Sequence, residues 1–176
     1  TYMTILSGGN VGIGTTVPLA PLHIVGANQA TGGTYLTYGN LFVSSSDAMA
    51  INKGGSISLG GYYNVSALAT FARIQGKKET ATNGTTQGYM AFETDDDTTN
   101  TLVERMRITS TGNVGIGTAA PISLTEIQGG LTTVGAVLTL GTKETSVVAN
   151  DVLGRLDFYA PLDAAGSDAN LLAASI

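Results

Sequence analysis

Residues 106–129 read MRITSTGNVGIGTAAPISLTEIQG, and residues 3–26 read MTILSGGNVGIGTTVPLAPLHIVG. The two align without a gap at an offset of 103, with 13 of 24 positions identical and Gly9–Thr15 repeated unbroken in Gly112–Thr118. Self-similarity at a fixed spacing marks a chain built from repeated supersecondary units. Within the second copy, Met106 and Ile108 alternate with Arg105 and Arg107, the period of a strand with one buried face. Ser110-Thr111-Gly112-Asn113 supplies turn residues that tolerate positive φ. Val114-Gly115-Ile116-Gly117 then reads as a short strand whose alternate residues are glycine, a pattern that marks close approach of another backbone. Pro121 interrupts a regular ladder, and Leu124–Ile127 restarts a strand.

The likeness continues beyond the motif. Tyr35–Gly39 resembles Val137–Gly141 at an offset of 102, and Ala67–Ile74 falls on Ala169–Ile176. Ile57–Gly60 fits the Val137–Gly141 segment as well, so two registers remain open there. The unit is about 100 residues long, which divides the chain into a first motif segment (1–26), a spacer module (27–105), a second motif segment (106–129) and a partial module (130–176). On this phase the chain starts just before one unit and stops partway through the next, as expected of a piece of a longer protein.

Further strands are expected at Leu41–Ser44, Ile57–Leu59, Gln87–Glu93, Leu102–Ile108, Val137–Leu140 and Leu153–Tyr159, with polar loops at Thr80–Gln87 and Asp95–Asn100. Val65–Gln75 and Asp163–Ile176 carry Ala and Leu at spacings that also suit a helix; strand is preferred for Phe71–Gln75. Glycine numbers 24 of 176 residues, about twice ordinary usage, and charged residues are only 12%, about half of it. This composition suits short strands and many tight turns, and predicts a mostly β fold. So little charge is unusual for a free monomer and favours burial in an oligomer.

The net charge is −5 and no basic stripe is present, which argues against a nucleic-acid partner. Lys77-Lys78 is followed by Glu79 and reads as a solvated turn. No apolar run approaches the ~20 residues of a membrane-spanning helix, and Thr1–Thr4 lacks the features of a signal peptide. With no cysteine, disulfides and thiolate metal sites are excluded.

The pattern Glu104–Ile108 followed by Gly112–Pro121 resembles a recurring segment of bacteriophage tail fibres and related virion structural proteins. Many of these end in an intramolecular chaperone domain of the endosialidase type, for which this chain shows no cleavage site. The resemblance implies an elongated, intertwined homotrimeric shaft of short strand modules in tandem repeat. It implies a place in the virion tail, contact with other tail proteins, and reach toward a host receptor such as a surface glycan. A cell-surface adhesin or extracellular fibre, and a carbohydrate-binding or depolymerising tailspike, are the alternatives. In the shaft reading Val11, Ile13, Val114 and Ile116 face the shared core, and Gly12, Gly14, Gly115 and Gly117 let chains approach closely.

Chemical sites find little support, and no catalytic, cofactor or metal residue is nominated. The glycine order is G-x-x-G-x-G, not the dinucleotide fingerprint, and Pro18 or Pro121 stands where a helix should follow. His23, the single histidine, has Glu126 as its counterpart and reads as structural. Asp95-Asp96-Asp97 lacks the spacing of a calcium loop and reads as a solvated turn. Glycoside hydrolysis needs two spaced carboxylates, for which Glu79, Glu93, Asp151 and Asp157 are the available acids; the absence of Trp weakens that reading. The chain is therefore expected not to be an enzyme.

Overall fold

The computed structural model describes residues 2–27, 40–96, 101–129, 135–143, 146, 148–149, 155–159 and 172–175. The chain divides into two compact units, Thr1–Gln128 and Gly129–Ile176. All regular structure among the described residues is strand, so the fold is mostly β.

The first unit carries two sheets. The smaller consists of β1 (Met3–Ile5), β2 (Val11–Ile13) and β3 (Leu22–Ile24), in that order. The larger runs in sequence order through β4 (Ser56–Tyr62), β5 (Leu68–Lys78), β6 (Gly88–Asp96), β7 (Thr101–Ile108), β8 (Val114–Ile116) and β9 (Thr125–Ile127). Every neighbouring pair from β4 to β8 is antiparallel, and β9 returns parallel to β8. In the second unit β10 (Asp157–Tyr159) pairs antiparallel with β11 (Leu172–Ser175).

Local chemistry accounts for the turns. Between β4 and β5, Asn64 Oδ1 accepts the N–H groups of Ser66 and Ala67 at 2.9 and 2.8 Å, a side-chain mimic of a backbone turn. Between β5 and β6, Glu79 N–H donates to Gln87 at 3.0 Å, Gly84 has φ +79°, and Lys78 Nζ is held by Thr85. Two β-bulges bend the larger sheet. Phe71 is the extra residue between β4 and β5, and Arg105 the extra residue between β6 and β7.

Several sequence expectations need correction. Leu41–Ser44 forms no strand; it lies against the edge of the sheet, with the Val43 carbonyl over Gly55 where a Cβ would sit. Val137–Leu140 forms no strand either. Lys77 and Lys78 are not a solvated turn but the end of β5, with both amines engaged. Phe71–Gln75 is strand as preferred, within the longer β5.

Candidate functional site

The two motif copies fold alike in every pairing. Met3, Thr4 and Ile5 face Ile13, Gly12 and Val11, as Met106, Arg107 and Ile108 face Ile116, Gly115 and Val114. The parallel step also coincides, Val11–Leu22 with Val114–Thr125 and Ile13–Ile24 with Ile116–Ile127. The turn glycines Gly9 and Gly112 share φ +87°, and Gly14 and Gly117 have φ +76° and +75°.

This geometry explains the motif. Parallel neighbours ordinarily need a crossover of about a dozen residues or more, yet residues 117–124 suffice here. The connection starts at Gly117 in the left-handed region and folds back across β8, so that Thr118 lies over Gly115. A Cβ on Gly115 would meet the Thr118 carbonyl oxygen at 2.5 Å, and one on Gly12 would meet that of Thr15 at 2.5 Å. A Cβ on Gly14 or Gly117 would run into the carbonyl oxygen of Val25 or Gln128. All four glycines are thus required by contacts inside one chain.

Register divides the larger sheet into two unlike faces. Ile57, Ile74, Phe92, Met106, Ile116 and Ile127 are successive lateral partners, one from each strand. Beside them run Gly76, Met90, Ile108, Val114 and Thr125. The smaller sheet carries the matching rows Met3–Ile13–Ile24 and Ile5–Val11–Leu22. Side chains of directly opposed residues share a face, so these rows form an apolar surface without a charged group. The opposite face holds the row Ser56, Gln75, Ala91, Arg107, Gly115 and Glu126.

Burial runs opposite to the expectation for a free monomer. Tyr89 and Ala91 are the buried hydrophobic residues among those described, Gln75 and Glu93 the buried polar ones, and all four belong to the polar face. Ile57, Ile74, Met90 and Ile116 on the apolar face are 46%, 38%, 45% and 41% exposed. Val11 and Val114 are half-buried, whereas Ile13 and Ile116 are exposed. Of the core residues nominated from sequence, Val11 and Ile13 lie on the smaller sheet, Val114 and Ile116 on the larger. Ile57, Ile74, Phe92, Met106 and Ile127 join them through register, which the linear sequence does not display.

The polar face is closed by charge. Glu93 receives Arg73 through Nε and Nη2 at 2.8 and 2.5 Å and Lys77 Nζ at 2.7 Å. Burial pushes the Glu93 carboxyl up, but the hydrogen bonds and charges of Lys77 and Arg73 together outweigh it and hold it below its ordinary value. The Arg107 guanidinium lies 4.0 Å from the Tyr89 ring centroid and binds Glu104 through two nitrogens at 2.5 and 2.8 Å. Burial raises the Tyr89 hydroxyl above its ordinary value, and that hydroxyl donates to Asn52 Oδ1 at 2.7 Å.

The other sequence candidates fall apart from one another. His23 Nδ1 accepts the Leu19 N–H at 3.3 Å, and Glu126 Oε2 accepts the Ile122 N–H at 2.8 Å. Glu79 accepts the Ser110 N–H at 3.3 Å, while Glu93 is neutralised as above. Asp95 and Asp96 end β6; Asp97, Asp151 and the Asp157 side chain lie outside the described residues. Among the described residues no acidic or histidine cluster could hold a metal ion, and no helix is long and apolar enough to cross a membrane. Thr85–Gln87, at the end of the polar loop Thr80–Gln87, line an open depression of about 580 Å³ beside Tyr89 and Met90.

No protein-family model matches the chain, and no curated protein is matched by it.

Proposed function

We propose that this chain is a structural segment of a trimeric bacteriophage tail fibre, whose work is mechanical reach and which has no catalytic role. The observation that carries the reading is the apolar row Ile57–Ile74–Phe92–Met106–Ile116–Ile127, in which Ile57, Ile74 and Ile116 are exposed and Phe92, Met106 and Ile127 half-buried, while Gln75, Ala91 and Glu93 of the polar face are buried. Exposed apolar surfaces of this kind mark association sites. Covering one half-exposed isoleucine contributes on the order of 1 kcal/mol, so rows spanning six strands favour association strongly.

A second copy of the same chain suits the face better than an unrelated partner. The apolar rows recur in both sheets with one pairing scheme at an offset of 103 residues. Any partner covering both must present apolar rows with that same repeat, and another copy in register does so by construction. The low charge of the chain agrees with this arrangement, and the resemblance of the motif to tail-fibre segments supplies three as the number of chains.

Virion and cell-surface settings are separated by immunogold labelling of particles and cells from a culture producing the protein. Gold on particle tails is the expected result. Gold confined to the cell surface would instead assign the chain to an adhesin or extracellular fibre.

A further inference from the structure

The strand pairing of the two motif copies differs at the outer edge of their first strand. In β1, Gly14 N–H donates to the Tyr2 carbonyl at 3.1 Å and Leu6 N–H donates to Asn10 at 2.9 Å. Tyr2, Thr4 and Leu6 therefore direct their backbone groups toward β2. By strand alternation Met3 and Ile5 direct theirs to the other side, where the sheet has no further strand among the described residues. In β7 the equivalent edge is filled: Met106 faces Phe92, Arg107 faces Ala91 and Ile108 faces Met90, all of β6.

We propose that the outer edge of β1 is a docking edge for an antiparallel strand of the β6 kind, supplied in cis by a further copy of this repeat unit joined ahead of Tyr2. Such a strand places large apolar residues opposite Met3 and Ile5 and a small one opposite Thr4, as Phe92, Met90 and Ala91 stand in β6. Main-chain hydrogen bonds to Met3 and Ile5 supply the attraction, and the alternating side chains set the register. The source is cis because only residues 97–100 separate β6 from β7, so the strand arrives as the first arm of a hairpin. Docking extends the row Met3–Ile13–Ile24 sideways, as Phe92 extends Met106–Ile116–Ile127, and removes a bare edge open to uncontrolled pairing. None of this depends on how many chains assemble through the apolar face.

The test is amide hydrogen exchange at Met3 and Ile5 in a chain carrying a second copy of residues 52–104 ahead of Tyr2. Both amides are expected to exchange at least about tenfold more slowly than in the unextended chain, approaching Met106 and Ile108. The effect should vanish when the added copy carries Phe92→Pro, because the Phe92 N–H points at this edge and proline removes it. Unchanged exchange in the extended chain overturns the proposal, and so does equal slowing by the proline-bearing copy. Slowing by a free peptide of residues 86–96 but not by the extended chain overturns the cis source.

Discussion

His23 and Glu126 occupy one structural position and do one job with different chemistry. Each accepts the backbone N–H of the residue four positions earlier, Leu19 at 3.3 Å and Ile122 at 2.8 Å, and so closes the crossover that leads into β3 or β9. What the position requires is an acceptor, not a particular residue. His23→Glu should therefore leave stability within about 0.5 kcal/mol, whereas His23→Leu should cost about 1 kcal/mol. Urea unfolding at equal chain concentration makes the comparison; equal losses for both variants would refute the shared role.

The motif glycines make a sharper prediction. At Gly115 an added methyl meets the Thr118 carbonyl, and at Gly12 that of Thr15. Backbone atoms yield little, so Gly115→Ala should destabilise by roughly 2–3 kcal/mol. At Gly112 a Cβ meets nothing within 4 Å, but φ is +87°, and Gly112→Ala should lose about 1–2 kcal/mol through the left-handed backbone alone. Thermal melts that rank Gly112→Ala as the worse would contradict the crossover account. Because the clash is internal, loss of assembly in glycine variants says nothing about an interface.

Acid should open the polar face. The Glu93 carboxyl is held below its ordinary value of 4.5 in the folded chain. Its contribution is fully present above that value and is lost as pH falls through the lower, folded-state one. Glu93→Gln leaves Arg73 and Lys77 without their carboxylate and should cost about 3 kcal/mol at pH 7. That gap should shrink toward zero at strongly acidic pH. A gap independent of pH would show that Glu93 acts by shape and not by charge.

The apolar row predicts which substitutions prevent association. Ile74 and Ile116 are already 38% and 41% exposed in one chain, so Ile74→Asp and Ile116→Asp should disturb the single sheet little. In an assembly each places a carboxylate in a dry apolar contact, a penalty of several kcal/mol. Both should sediment as single chains with the β signature of circular dichroism retained. Ser58→Asp, on the polar face opposite Arg73, should assemble as the parent does.

Much of this architecture was legible in the residues, for definite reasons. The alternation Arg105–Ile108 and the paired motif copies located β7, β8 and β9, because edge patterning and turn glycines act over a few residues. β5 was ambiguous because the bulge at Phe71 breaks its period of two. Leu41–Ser44 has the composition of a strand yet pairs with none, and composition does not report partners. The motif glycines drew attention at once, but their reason is a crossover returning onto β8, a contact that exists only after the parallel pairing forms. Of the apolar face, Val11, Ile13, Val114 and Ile116 were visible locally. Met106 was visible through its alternation with Arg105 and Arg107, whereas Ile57, Ile74, Phe92 and Ile127 needed the register of five strand pairs.

Sedimentation equilibrium of the purified chain at micromolar concentration tests the central claim most directly. A stable species of three times the 17.9 kDa chain mass is the predicted result. A homogeneous, folded monomer across that range would contradict it, for the row from Ile57 to Ile127 would then face water without a partner.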